Sequence, residues 1–192
     1  MITAIIMASG LSKRMGENKL LLKYKDKTII EYVFDEISKV EFKEVIVVSS
    51  YDEIKDISKK YNYKYIENKK NYIGQSESIR LGINNSKQSF GYMFFVGDQP
   101  LIDSKYINKM IEEFNENKDF IIIPRYKDRK GNPVIFPEYK REELLSLKED
   151  EKGKKVITNS CKIKYVDVSE YMLFDIDTKK DYIQLGGIYE KD

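Results

Sequence analysis

A chain of 192 residues is long enough for one domain with a substantial core, and a single domain over 1–192 is expected. Its 34 basic and 32 acidic residues leave a net charge of +2, so no field of one sign points to nucleic acid or an anionic membrane surface; any anion site must be local. With one cysteine, Cys161, and no histidine, an internal disulfide, Ser-His and Cys-His nucleophile pairs, imidazole zinc ligands and the usual general base near neutral pH drop out. Chemistry must then come from carboxylates, cations and a hard metal. No signal-peptide pattern and no apolar span of ~20 residues is visible, so a reducing cytoplasm is the expected setting.

The chain opens on an apolar run, Ile2 to Met7, read as a buried strand. It empties into Met7-Ala8-Ser9-Gly10-Leu11-Ser12-Lys13-Arg14-Met15-Gly16-Glu17-Asn18-Lys19. Small residues leave backbone N–H groups open to a phosphate, and Lys13, Arg14 and Lys19 bring charge, Arg14 as a forked donor. A βα turn with solvated cations is the plainer reading. The coincidence of small residues and three cations after a first strand, where open α/β sheets bind ligands, favours the phosphate. Gly10 and Gly16 do not make a Walker A loop, and there is no G-x-G-x-x-G.

Strand-like and helix-like segments then alternate. Leu20 to Leu22 reads as a short strand, and Thr28-x-x-Glu31 as a capping box opening a helix to about Lys39. Ile29, Ile30, Val33, Phe34 and Ile37 form its apolar face. Val45 to Val48 and Tyr63 to Ile66 read as strands around a helix over Asp52 to Tyr61. In Gly74-Gln75-Ser76-Glu77-Ser78-Ile79-Arg80-Leu81-Gly82, Ser76 is the candidate N-cap of a helix whose start suits an anion, with Gln75 and Ser76 near a base or sugar edge and Arg80 near a phosphate. An ordinary capped helix with a surface arginine fits the same spacing.

Tyr92 to Val96 reads as a central strand ending in Gly97-Asp98-Gln99-Pro100. That places Asp98 on the same rim as the first loop, where it can bind Mg²⁺ with phosphates completing the shell. A helix follows from about Asp103, then a strand from Phe120 to Ile123 stopped by Pro124. Arg125 to Phe136 reads as a hairpin or flap with a second extended segment, shaping a pocket or an oligomer contact. Two short helices are expected between 138 and 160, and a strand over Ile163 to Val168. Phe174-Asp175-Ile176-Asp177-Thr178 then leads into a last helix capped by Thr178, with Asp181 three residues on. Asp175 and Asp177, two apart, share one face of an extended segment, as metal-side groups or as turn and cap carboxylates. Gly186 to Asp192 reads as a loose tail. The alternation predicts an α/β fold with a mostly parallel sheet.

Five of these motifs, M-A-S-G-L-S-K-R-M-G-x-x-K, G-Q-S-x-S-I-R-x-G, G-D-Q-P, G-N-P-V-I-F and D-I-D-T, occur in this order across nearly the whole chain. Together they resemble the molybdopterin nucleotidyltransferases, and within that family most resemble the molybdenum cofactor cytidylyltransferases. The resemblance implies a single three-layer, Rossmann-like nucleotidyltransferase domain with a β-hairpin or flap insertion. It implies transfer of CMP from CTP to the terminal phosphate of Mo-molybdopterin, with Mg²⁺, giving molybdopterin cytosine dinucleotide and pyrophosphate, and a molybdenum hydroxylase to receive the product. By motif, Ala8, Ser9, Gly10 and Leu11 would lie along the nucleotide, Arg14 and Lys19 would hold the triphosphate, and Gln75 and Ser76 would face base or ribose. Asp98 would hold the metal with Asp177 as a second carboxylate, and Gly131, Asn132 and Pro133 would belong to the pterin side. One departure stands at the loop start, where cytidylyl members usually read L-A-A-G and guanylyl members L-A-G-G: Ser9 adds a hydroxyl near the place where base choice is influenced. Two rivals share these motifs, a transferase using GTP or a sugar or polyol phosphate acceptor, and a non-catalytic carrier of molybdenum cofactor.

Overall fold

The computed structural model describes residues 1–12, 15–149 and 151–189, with side chains as far as residue 186. Thr3–Met7 (β1) is apolar on both faces, as a strand covered from both sides must be. Beyond the loop, Lys19–Leu21 is a 3-10 turn and not the expected strand. Asn18 caps it, its side-chain oxygen accepting the Leu20 N–H at 3.1 Å, and the turn drives Leu20 inward.

A small antiparallel hairpin, Lys23–Tyr24 (β2) with Lys27–Thr28 (β3), leads into Ile29–Ser38 (α1). Its capping box is present, the Glu31 carboxylate accepting from the Thr28 N–H at 2.8 Å, and the five apolar positions read from the sequence are fully buried. Glu44–Ser49 (β4), Asp52–Lys60 (α2) and Lys64–Glu67 (β5) follow.

Gln75–Asn84 (α3) starts two residues before a Ser76 cap would allow. Gly74 is the capping residue, at φ +107°, a conformation glycine adopts without strain, and Ser76 lies fully buried in the first turn. Gly91–Val96 (β6) runs through the middle of the sheet. Ser104–Glu116 (α4) is capped by Asp103, whose carboxylate accepts the Lys105 N–H at 2.7 Å.

Ile121–Tyr126 (β7), Arg129–Lys130 (β8) and Val134–Pro137 (β9) form the expected excursion. The hairpin itself is β7 to β8, turning at Lys127 and Asp128 with Lys127 at φ +53°, and the Asn132–Pro133 peptide is cis. Arg141–Leu145 (α5), Lys154–Thr158 (α6), Ile163–Asp167 (β10) and Lys179–Tyr189 (α7) complete the chain. The segment from Gly186, expected as a loose tail, is helical as far as Tyr189.

The sheet order is β10-β7-β9-β6-β1-β4-β5, with β8 added at the end of β7. Within that order β9 alone runs antiparallel, paired with β6 and β7. The second extended segment is therefore part of the main sheet. Strand β7 passes through Pro124 because the missing N–H costs no ladder bond. Ile121 donates to Lys162 on the β10 side at 2.9 Å. By alternation Pro124 faces the other side, between the β9 pairing at Ile122 and the β8 pairing at Arg125.

Helices α1, α2 and α4 cover one face, burying Ile6, Phe34, Phe95, Met110 and Phe114. Helices α3, α5 and α6 cover the other over Ile5, Ile79, Phe94, Phe136 and Leu144. The result is a three-layer α/β/α domain whose parallel strands end at one rim, carrying the loops after β1, β4, β5 and β6.

Helix α3 meets β1 at glycine contact: a Cβ on Gly82 would stand 2.5 Å from Ile5 Cγ2. Alanine favours a helix by about 1 kcal/mol over glycine, but overpacking costs about 1–3 kcal/mol. Gly82→Ala is expected to lower the urea midpoint, a net loss of about 1 kcal/mol; a raised midpoint would show that Ile5 gives way.

Candidate active site

The loop after β1 is stitched to the end of β4. Ala8 N–H donates to the Val48 carbonyl at 2.8 Å, the Ser9 hydroxyl to the same carbonyl at 3.1 Å, the Ser49 hydroxyl to the Ala8 carbonyl at 2.9 Å, and the Tyr51 hydroxyl to the Gly10 carbonyl at 2.9 Å. Ala8 and Ser9 are buried, Gly10 and Leu11 exposed. The Ser9 hydroxyl, which the sequence suggested for base choice, gives its hydrogen to the backbone and keeps its oxygen as an acceptor, and the Ala8 N–H is paired there too. Among the described residues no acceptor meets the N–H groups of Ser9, Gly10 or Leu11, and a Cβ on Gly10 would meet nothing within 4 Å. These amides are open to a ligand. Lys13 and Arg14 lie outside the described residues.

Ser12 turns the loop at φ +46°, and its hydroxyl oxygen accepts the Lys19 N–H at 3.3 Å. From the 3-10 turn that follows, Lys19 sends its ammonium to two carboxylates, Asp98 Oδ2 at 2.6 Å and Asp177 Oδ1 at 3.0 Å. Burial opposes the charge on Lys19, but Asp98, with Asp177 behind it, overrides that and holds its pKa above the usual lysine value. Lys19 and the carboxylate after β6 therefore meet.

The two acidic segments are joined as well. The Ile176 N–H donates to the Asp98 carbonyl at 3.0 Å, and Gln99 Nε2 to Asp175 Oδ1 at 2.6 Å. Burial, then the charge of Asp98, pushes the Asp175 carboxyl above the usual range. Arg129, from β8, donates to the Leu173 carbonyl and lies 3.8 Å from Asp175. Asp177 is aimed by its own cap, the Asp181 carboxylate accepting from the N–H groups of Asp177 at 3.1 Å and Thr178 at 2.7 Å. Asp175 and Asp177 thus have different partners, Gln99 and Lys19.

These carboxylates line one end of a cavity of about 870 Å³ between the sheet and α6. Gln75 reaches it from α3; Met7, Phe94, Val96, Ile123, Val134 and Phe136 form an apolar floor, and Gly131 and Asn132 stand on its wall. Pro133 is buried. The Ser76 hydroxyl is buried with no partner among the described residues. Arg80, expected near a phosphate, is engaged elsewhere, paired with Glu77 and donating to the Leu147 carbonyl at 3.2 Å.

Asp98 and Asp177 already converge on one cation, the Lys19 ammonium, and offer the hard oxygen donors Mg²⁺ takes. Among the described residues no three His, Cys, Asp or Glu side chains are grouped so as to hold a metal ion by themselves. A divalent ion fits here with part of its shell supplied by a bound anion and water, the usual arrangement for Mg²⁺. Sequence reasoning missed Tyr51, Gln99 and Arg129. Gln99 stood inside a quoted motif, whereas nothing local marks Tyr51 or Arg129.

A family model described as the MobA-like NTP transferase domain matches residues 4–165. A probable molybdenum cofactor guanylyltransferase of Natranaerobius thermophilus is 36% identical over 125 residues, 64% of this chain and 60% of that protein. Another, of Thermococcus sibiricus, is 26% identical over 95% of this chain and 96% of its own length. Among solved structures, a manganese complex of Rv0371c from Mycobacterium tuberculosis superposes with a TM-score of 0.80 at 23% identity, covering 96% of this chain and 97% of that one, a likeness of fold.

Gln99 is 1% exposed and supplies the side-chain link between the two acidic segments. Replacing it by leucine leaves the half-buried Asp175 without that donor, so Gln99→Leu is expected to cost about 1–3 kcal/mol in urea unfolding. Wild-type stability in that variant would mean the link carries no weight.

Proposed function

Since the chain belongs to the MobA-like NTP transferase domain family, we propose that it joins the nucleoside monophosphate part of an NTP to the terminal phosphate of molybdopterin, releasing pyrophosphate. It is a nucleotidyltransferase, and its place in molybdenum cofactor synthesis is supported by the names of its relatives in Natranaerobius and Thermococcus. The observation that carries the reading is the convergence of Lys19 with Asp98 and Asp177 at the acidic end of the cavity. Nothing in the described residues spans a membrane by a long apolar helix, and the proposed setting is the cytoplasm.

The chemistry follows from charge. An oxygen of the acceptor's phosphate monoester, already anionic, forms a bond to the α-phosphorus, and the bond from that phosphorus to the bridging oxygen of the β-phosphate breaks. No proton need be removed from the nucleophile, so a chain without histidine loses nothing. Two anions must be brought together, and charge gathering on the leaving pyrophosphate must be met. The open N–H groups of Ser9, Gly10 and Leu11 receive phosphate oxygens, Lys19 leaves part of its pairing for the triphosphate, and Gln75 faces the bound substrates. Asp98 and Asp177 would hold a divalent ion, supported by the manganese complex in the mycobacterial structure; such an ion supplies Lewis-acid neutralisation of the phosphates. Gly131, Asn132 and Pro133 border the acceptor side, and a molybdenum hydroxylase is the proposed recipient of the product.

For the base we propose CTP, on the G-Q-S-x-S motif at the start of α3. GTP is the second reading, carried by the names of the relatives. Pyrophosphate release with each of the four NTPs and molybdopterin decides between them: a preference for CTP of at least about tenfold in kcat/KM, roughly 1.4 kcal/mol, is expected, and an equal preference for GTP would reassign the base.

Asp98→Asn and Lys19→Ala are expected to lower kcat by about 100-fold or more, in line with the loss of a charge-stabilising group. Folding stability should fall far less. Wild-type turnover in Asp98→Asn with Mg²⁺ would remove Asp98 from the assignment.

A further inference from the structure

Two hydroxyls at the end of β4 hold two carbonyls of the loop after β1. The Ser49 hydroxyl donates to the Ala8 carbonyl at 2.9 Å, and the Tyr51 hydroxyl to the Gly10 carbonyl at 2.9 Å. Both donors stand on a braced segment. Ser49 is fully buried, its oxygen accepts the Tyr51 N–H at 3.2 Å, and the Tyr65 hydroxyl of β5 donates to the Ser49 carbonyl at 3.0 Å and the Tyr51 carbonyl at 3.3 Å. The peptides that follow Ala8 and Gly10 are trans, and in a trans peptide the C=O and the N–H point in opposite directions. With both carbonyls drawn toward the end of β4, the N–H groups of Ser9 and Leu11 are turned away from it. Strand β1 lies between β4 and β6, so for Ser9 that direction is the β6 side, which carries Asp98. Neither N–H has an acceptor among the described residues. At Gly10 a Cβ would meet nothing within 4 Å, and glycine leaves its peptide planes freer to turn than any other residue. Packing therefore does not orient the Gly10–Leu11 peptide; the Tyr51 hydroxyl does.

Resting on the nucleotidyl transfer proposed above, we infer that Ser49 and Tyr51 are positioning residues for the triphosphate. They touch no substrate themselves and act by holding the Ser9 and Leu11 N–H groups toward the phosphate oxygens before the nucleotide arrives. N–H groups gathered on one side of a loop make a concavity for an anion, and donors fixed in advance bind without the ordering cost that a loose loop incurs. The ligand they serve is a polyphosphate chain, whatever base it carries. The two residues differ in what else depends on them. Ser49 also accepts the Tyr51 N–H from inside the core, so its loss reaches the packing. Tyr51→Phe removes one oxygen and keeps the ring, and the exposed Gly10 is left with water for its carbonyl.

The experiment is calorimetric binding of inorganic triphosphate with Mg²⁺, a probe with neither base nor acceptor, to wild type, Tyr51→Phe and Ser49→Ala. Urea unfolding and the steady-state constants for the NTP are measured on the same proteins. Tyr51→Phe is expected to bind triphosphate about three- to tenfold more weakly, the worth of one hydrogen bond, with its urea midpoint unchanged. The KM for the NTP should rise by the same factor while kcat moves less than about twofold, the mark of binding lost equally from ground and transition states. Ser49→Ala is expected to weaken triphosphate at least as much and to unfold at lower urea, because it also strands the Tyr51 N–H; should it fail to fold, Tyr51→Phe decides alone. Triphosphate held as tightly by Tyr51→Phe as by wild type would overturn the inference, as would a fall in kcat with KM unmoved. A wild type that releases pyrophosphate but binds no triphosphate would overturn the positioned amides and leave the transfer reaction standing. One that binds triphosphate but releases no pyrophosphate from any NTP with molybdopterin would overturn the reaction instead.

Discussion

The arrangement depends on one ammonium group. Lys19 stands between Asp98 and Asp177, carboxylates contributed by segments far apart in sequence. Without a cation between them two such groups repel, so the ion pair fixes how the loop after β1, the turn after β6 and the approach to α7 meet. The backbone behind Lys19 makes this a fixed position. The Ser12 hydroxyl and the Asn18 cap hold the turn, and Leu20 is driven beneath the Asp98 segment. A Cβ on Gly97 would stand 2.7 Å from Ile30 Cδ1 and 3.2 Å from Leu20 Cδ1, so the glycine of G-D-Q-P is what lets Asp98 sit directly over the core.

From that point the cavity extends along the sheet over an apolar floor. The antiparallel strand β9 makes this possible: inserted between β6 and β7, it widens the floor by one strand and brings Val134 and Phe136 into it. The same excursion delivers Gly131, Asn132 and Lys130 to the wall. A flap at the surface would have left the floor narrower.

Much of this was legible in the residues because local chemistry and global packing agree. The capping box at Thr28 and Glu31, the five buried positions of α1, and the cap of Asp181 on Thr178 are short-range patterns that survive folding intact. The readings that changed were those in which a neighbour decides. Pro124 stops an isolated strand, but here its missing N–H faces a gap between two partners. Leu20 to Leu22 has strand-like composition, but Asn18 captures the backbone into a 3-10 turn. Ser76 has the chemistry of a cap, yet Gly74 can adopt a backbone that Ser76 cannot adopt without strain. Arg80 looks like a phosphate ligand until Glu77 and Leu147 are seen around it. Ser9 carries a hydroxyl whose hydrogen goes to Val48, so toward the loop it offers an acceptor oxygen only.

A crystal grown with Mg²⁺ and a nucleotide whose α–β bridge cannot be cleaved tests the central claim most directly. The triphosphate should lie across the N–H groups of Ser9 to Leu11, with Lys19 on its oxygens and Asp98 and Asp177 on the ion. A nucleotide bound elsewhere, with the Lys19 bridge undisturbed, would contradict the account.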